Sequence, residues 1–202
     1  MKKLIIIGAS GHGKVVADIA KKNGYNDICF LDDNENITDC GGYKVVGKCD
    51  SFDDYDCDMI VAIGDADIRR KFQEKLENNG KSVVSLIHSN AVLGDNVIIG
   101  NGSVVMAGAV VNPYTEIGKG CIINTCASVD HDNKIGDFVH ISVGSHLAGT
   151  VTVGDNTWIG IGAVVSNNIN IAGNCKIGAG AVVISDIDKS GTYVGVPAKR
   201  IK

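Results

Sequence analysis

Residues 91 to 186 read AVLGDN, VIIGNG, SVVMAG, AVVNPY, TEIGKG, CIINTC, ASVDHD, NKIGDF, VHISVG, SHLAGT, VTVGDN, TWIGIG, AVVSNN, INIAGN, CKIGAG, AVVISD, sixteen consecutive hexads without one slip. The third position is Leu, Ile or Val in all sixteen, from Leu93 and Ile99 through Ile135 and Ile141 to Ile177 and Val183. First positions are mostly small, as at Ala91, Ser103, Ala127, Ser145, Ala163 and Ala181, and the fourth is often Gly, Asn, Asp, Ala or Ser. A period of six with one obligatory aliphatic is the signature of a β-helix: each hexad supplies a short strand and a turn, and three hexads close a triangular coil. The aliphatic then points inward, and the small first position leaves room near the corner. Because backbone bonds run between coils, each residue lies above the one eighteen positions earlier. Sixteen hexads give between five and six coils, and at ~4.8 Å per coil the stack is about 25 Å tall. A sandwich carrying a chance repeat is the competing architecture, and the unbroken run argues against it.

Upstream of the repeat the periodicity changes. Lys3 to Ile7, then GASGHG, then KVVADIAKKNGY read as strand, glycine turn and amphipathic helix, and DICFLDD, ending in Asp32 and Asp33, completes a βαβ opening. MIVAIGD (59–65) is a further buried strand, ADIRRKFQEKLENNG a helix that stops at Gly80, and SVVSLIH a fourth strand. This alternation predicts a small open parallel sheet of Rossmann-like type over residues 1–87, with the β-helix and a short tail over 88–202.

The 202 residues carry a formal charge of -4, with 45% hydrophobic and 21% charged side chains and no basic stripe, which does not suit an electrostatic nucleic-acid binder. The apolar run near the N-terminus meets Gly8 long before the ~18 residues needed to span a bilayer. Seven cysteines in an odd set with no CxxC pair suggest neither a disulfide framework nor a zinc ribbon, and fit a reducing cytoplasm. With 26 glycines, two prolines and few aromatics, the core must be built from small and β-branched residues, as the repeat requires.

Gly8, Gly11 and Gly13 are spaced GxxGxG, a departure from the dinucleotide fingerprint, so NAD is not the expected ligand. The turn still brings a helix N-terminus, whose amides favour phosphate, to a place where a nucleotide or sugar phosphate could approach; a tight strand-to-helix turn without a ligand is the plainer alternative. Asp32 and Asp33 sit where a carboxylate could meet a ribose or base edge, or could be an exposed turn pair. In the repeat, His131 and Asp132 close the hexad ASVDHD at turn positions that leave the core. A carboxylate can hold one imidazole nitrogen and leave the other to take a proton, although a surface His-Asp pair is the alternative. His140 and His146 occupy second positions of consecutive hexads and should project from adjacent faces, and Trp158 stacks one coil beyond His140.

Taken together, IIIGASGHGKVVADIA, FLDD, VAIGD, VDHDNKIGDFVHISVGSHLAGTVTVGDNTWIGIGAVV and the ending GTYVGVPAKRIK resemble the bacterial hexapeptide-repeat sugar O-acyltransferases and nucleotide-aminosugar N-acetyltransferases, of the sialic-acid and bacillosamine pathway type. The likeness covers essentially the whole chain. It implies a left-handed β-helix, a handedness that the spacing does not supply, since right-handed crossovers are the general rule. It also implies a homotrimer with acetyl-CoA in the groove between adjacent β-helices, an N-terminal domain that holds the acceptor, and no metal. By the same resemblance His131 is the general base and Asp132 its acidic partner, a position held by Glu in related aminosugar enzymes. His140 then contacts the thioester region of acetyl-CoA, Ile161 and Ala179 line the CoA arm, and Ser10, Gly11, His12, Asp32, Asp33 and Gly64 contact the nucleotide-sugar. Lys199 and Arg200 could meet CoA phosphates by charge or form a solvated tail.

The implied reaction is acetyl transfer from acetyl-CoA to the amino group of a nucleotide-linked 4-amino-deoxysugar, with O-acetylation of a sialic acid or other sugar hydroxyl as the alternative. Two other classes compete. A γ-class carbonic anhydrase shares the left-handed β-helix but needs three histidines converging on zinc, which the spacing of His140 and His146 does not offer. A non-catalytic sugar-nucleotide sensor would use the hexads only to assemble.

Overall fold

Leu4, Ile5, Ile6 and Ile7 are wholly buried because β1 (Lys3–Ile7) runs through the middle of a sheet covered on both faces. The computed structural model describes residues 2–202, which fall into one unit ending at Ser89 and a second running Asn90–Lys202. In the first unit, α1 (Gly11–Lys22) connects β1 to β2 (Asp27–Leu31), which pairs with it in parallel from Lys3 opposite Asp27 to Ile7 opposite Leu31. A short β3 (Asp39–Cys40) turns through Gly41 and Gly42, both at positive φ, into β4 (Tyr43–Gly47). After β5 (Asp58–Val61), helix α2 (Ala66–Asn78) starts at Asp65, whose carboxylate accepts the Ile68 N–H.

The sheet order is β3-β4-β2-β1-β5, and the pairs inward of β3 are parallel. The fourth parallel strand is therefore β4, not the expected 82–88 segment, of which only Val83 bridges to the sheet, opposite Met59. The Gly41–Gly42 hairpin lays β4 beside β2 through a short connection, whereas 82–88 passes Met59 and leaves. The chain steps from β1 to β2 on one side and later to β5 on the other. The crevice at the carboxyl ends of β1, β2 and β5 is thus the place where a sheet of this kind receives ligands.

In the second unit every hexad contributes its second and third residues as a strand, from Val92–Leu93 to Val182–Val183. Strands eighteen residues apart pair in parallel: Val110 opposite Ser128, Lys134 opposite Thr152, His140 opposite Trp158. The result is a left-handed β-helix with a sheet on each of three faces. From Val105 to Val183 all third-position aliphatics are buried. From Asn96 to Gly180 every sixth residue has positive φ, so each hexad closes its corner in the left-handed conformation. Glycine and asparagine take most of these places, but Tyr114, Asp132, Phe138 and Thr150 are held there too. At the C-terminal end Gly191–Val194 pairs in parallel with Cys175–Ile177, and the chain then reverses so that Lys199–Arg200 runs antiparallel to it. Among the described residues no helix is long and apolar enough to cross a membrane.

Two substitutions should move stability in opposite directions. Ile141, fully buried between Ile123 and Ile159, leaves a cavity when cut to Ala, and Ile141→Ala should cost about 2–5 kcal/mol. Thr150 is a β-branched residue at φ 59, and Thr150→Gly, relieved of the left-handed strain of about 1–2 kcal/mol, should raise the urea midpoint. A midpoint unchanged or lowered by Thr150→Gly, with the same dependence on urea, would show that the corner stores no such strain.

Candidate active site

Asp132 ends its hexad at φ 57, and this left-handed turn carries both its side chain and that of His131 out of the core, each 56% exposed. There the two meet, with His131 Nδ1 2.7 Å from Asp132 Oδ2. Backbone bonds fix the turn from both neighbouring coils: Asp132 N–H donates to Pro113 O at 3.1 Å, and His131 O accepts the Thr150 N–H at 3.0 Å. The hydrogen bond to Asp132, with added charge from Asp130, holds the His131 pKa above the ordinary histidine value against a smaller opposing desolvation. With Nδ1 engaged, Nε2 is the nitrogen left to take a proton.

Asp130 and Asn133 belong to the same turn and were not picked out from the sequence. Asp130 Oδ1 accepts the Asn112 Nδ2–H at 2.6 Å and the His131 N–H at 2.9 Å, and these bonds hold its carboxyl below the usual range. The signal was the second acid in VDHD, visible only once the eighteen-residue offset sets Asn112 beside it. Asn133 is fully buried beneath the turn. Its Nδ2 donates to Asp130 O at 2.6 Å and Ala148 O at 3.0 Å, while its Oδ1 accepts the Val151 N–H at 2.9 Å. A groove of about 380 Å³ opens beside the turn, lined among others by Asn112, Ser128, Asp130, His146 and Val164. Within it Ser128 Oγ lies 2.8 Å from His146 Nδ1.

His140 lies on a different face from His131. Its ring stacks on Trp158 with centroids 5.6 Å apart and planes 6° from parallel. Asn124 Oδ1 accepts the Thr125 N–H at 2.8 Å, so its Nδ2–H faces His140 Nε2 at 3.0 Å; Nε2 is therefore the acceptor and the ring proton belongs on Nδ1. Ile161 and Ala179 stand eighteen residues apart in one exposed corner column next to the His140 face, not at the His131 corner. Lys199 and Arg200 are exposed in the terminal hairpin. One chain thus joins His131 to Asp132 and His140 to Trp158, but does not bring the two histidines together. Among the described residues no three His, Cys, Asp or Glu side chains gather as a metal site.

In the first unit Ser10, Gly11, His12, Asp32, Asp33 and Gly64 stand at the carboxyl ends of β1, β2 and β5. Gly8 and Gly13 are packing glycines: an added Cβ would fall 2.9 Å from Ala62 O at the first and 2.3 Å from Gly8 O at the second. Gly11 and Gly64 face open space instead. Ser10 is the N-cap of α1 and makes no side-chain cap bond. Asp32 engages both oxygens with backbone, accepting the Ala9 N–H at 2.7 Å and the Asn34 N–H at 2.9 Å, and Asp33 accepts the Cys49 N–H at 2.9 Å. Both carboxylates therefore brace the loops around the crevice. His12 is pushed down to about 4, by burial first and by the Arg69 guanidinium second, and its Nε2 is buried without a partner among the described residues. Buried Arg69 itself donates from Nη1 to Ile63 O and Gly64 O, both at 2.8 Å.

Known proteins resemble both units of the chain. The PglD N-terminal domain family matches residues 3–76. The acetyltransferase domain of PglB from Neisseria gonorrhoeae superposes with a TM-score of 0.95 at 40% identity, covering 100% of each chain, and has also been solved with acetyl coenzyme A. PerB from Caulobacter crescentus, solved with CoA and GDP-perosamine, superposes at 0.94 with 36% identity over 100% of this chain and 98% of that one. UDP-N-acetylbacillosamine N-acetyltransferase of Bacillus subtilis is 33% identical over 113 residues, 53% of this chain; the chain spans about half the length of this curated relative, 52%.

The buried bracket under the turn can be tested by itself. Asn133→Ala strips the side-chain partner from Ala148 O and from the Val151 N–H and leaves Asp130 O with only the Thr115 hydroxyl, and each buried group left unpaired costs about 1–3 kcal/mol. The urea midpoint should fall accordingly, and His131 should lose its raised titration in an NMR pH series. A variant as stable as the parent would refute the bracket.

Proposed function

This chain belongs to the PglD-type nucleotide-aminosugar N-acetyltransferase family, and on that premise we propose that it transfers the acetyl group of acetyl-CoA to the amino group of a nucleotide-linked 4-amino-deoxysugar. The observation that carries the reading is the 2.7 Å bond between His131 Nδ1 and Asp132 Oδ2, which leaves Nε2 as a base at the surface of the β-helix. The neutral amine attacks the thioester carbonyl carbon. His131 Nε2 takes the proton that the nitrogen sheds, and Asp132 stabilises the imidazolium. The tetrahedral intermediate collapses, the carbon–sulfur bond breaks, and the proton passes to the departing thiolate to give CoA. The thioester is already activated, so positioning and one base suffice, with no covalent enzyme intermediate.

The β-helix unit carries the base and the CoA-facing residues: His140 with its proton on Nδ1, the corner column of Ile161 and Ala179, and the cations Lys199 and Arg200. The first unit holds the nucleotide through Ser10, Gly11, the neutral His12 and Gly64, over loops braced by Asp32 and Asp33. The working assembly is a trimer. His131 and His140 lie on different faces of one chain, and packing those faces together around a threefold axis gives each thioester a base from one protomer and the partner subunit's His140.

Thiol release from acetyl-CoA, measured against UDP-, dTDP- and GDP-4-aminosugars and free sialic acid, tests the reaction. Amine acceptors should turn over, and release with sialic acid alone would overturn the choice of nitrogen. His131→Ala should lower kcat by about 10²–10⁴, the worth of a positioned base, and turnover near the parent rate would remove the assignment. Activity needs the neutral imidazole and so rises with pH through the His131 titration. Because Asp132 holds that titration high, Asp132→Asn should move the acid limb to lower pH while reducing the plateau rate. A limb that stays in place would dissociate Asp132 from the base.

A further inference from the structure

We infer that Gly149 is a positioning residue for the acetyl transfer: the empty place above its Cα is the seat in which the His131 imidazole rests. Gly149 follows His131 by eighteen residues and lies directly over it in the next coil. A Cβ built on Gly149 would stand 2.6 Å from His131 Cε1, 2.7 Å from Nε2 and 3.3 Å from Cδ2, and these ring atoms are its three nearest neighbours. The two shortest distances fall on the edge of the imidazole that includes the free nitrogen. Contacts under 3 Å require something to shift, and the ring, at the end of a rotatable side chain, is what can.

Backbone geometry does not demand glycine at this place. Gly149 has no positive φ, unlike the sixth-position glycines that close the corners, so an L residue fits its conformation. Neither does lack of room in the core, since the inward position of this hexad is Leu147. The turn below is tied to Pro113 O, to the Thr150 N–H and to Asn133, so the side-chain torsions of His131 are where a clash is relieved most easily. Asp132 holds the ring at Nδ1 and Gly149 admits its Cε1–Nε2 edge. Any side chain at 149 swings the imidazole away from both, which breaks the Asp132 bond and turns Nε2 from the amine.

The inference rests on His131 being the base, and three variants separate the two ideas: Gly149→Ala, His131→Ala and the double substitution. Gly149→Ala should lower kcat about 10- to 100-fold, the cost of displacing a reacting group by an ångström or so, with both KM values within about threefold of the parent. The His131 NMR titration should fall toward the ordinary ~6.5, which a purely architectural glycine would not cause. In the His131→Ala background Gly149→Ala should slow turnover no further, because the ring it displaces is gone. If Gly149→Ala alone fails to fold, the double variant should fold, since the clash has been removed; failure of both would overturn the seat. A Gly149→Ala enzyme with parental kcat and an unmoved titration, beside an impaired His131→Ala, would overturn the seat and leave the base in place. Parental turnover by His131→Ala would remove the base, and the seat with it.

Discussion

Everything in the second unit follows from one repeated interaction, the backbone hydrogen bond from each coil to the coil eighteen residues on. It sets third-position aliphatics into an unbroken inner column and makes every corner a copy of the one below. The turn that carries His131 and Asp132 inherits this register. Asp130 N–H donates to Leu147 O, Asp132 N–H to Pro113 O, and Thr150 N–H to His131 O, so the turn is bonded to the coil on each side. Loops are the usual carriers of reactive side chains; here they stand on an element with the stiffness of a sheet.

The two histidines of greatest interest are tuned in opposite senses by opposite surroundings. His131 is exposed beside two carboxylates, and its pKa is raised. His12 is largely buried near the guanidinium of Arg69 and is lowered to about 4. One is drawn toward its protonated form by the carboxylates beside it. The other stays neutral at neutral pH and offers only a hydrogen bond. Asp130 and Asp132 divide the work in a similar way: the first grips the backbone of the turn and Asn112, and the second grips the ring.

Much of this was legible in the sequence because the repeat is strict. The hexad boundaries set from Ala91 agree with every strand from Val92 to Val183, and the outward placement of His131 and Asp132 followed from their positions in the hexad. What escaped were relations that cross the repeat or depend on distance. Asn112 supports Asp130 from eighteen residues away, and Asn133 is a polar residue inside the column of small first positions, where the pattern alone suggests another Ala or Ser. The left-handed sixth position could have been read from Asn96, Gly102, Gly108 and Gly120, but Tyr114, Phe138 and Thr150 blur it. In the first unit, β4 was missed because Tyr43–Gly47 is a half-exposed strand, short of the continuous apolar signal that marks β1 and β5. Asp32 and Asp33 were legible as acids at a strand end, and their bonds to backbone N–H groups were not.

The reversal at the C-terminus has a consequence of another kind. A stack of parallel coils has no natural end, because its last coil presents the same row of donors and acceptors as all the others, and such an edge is a template for polymerisation. In the last turns Ile187 bridges to Ile171, and Gly191–Val194 covers Cys175–Ile177 before Lys199–Arg200 folds back across it. The outermost strand therefore runs against the direction of the stack and carries two cations. A strand that met this hairpin would find an antiparallel edge bearing Lys199 and Arg200, not the parallel edge that a further coil needs. The hairpin thus replaces the parallel edge left by Cys175–Ile177 with an antiparallel one, so the direction of the stack changes at its last rung.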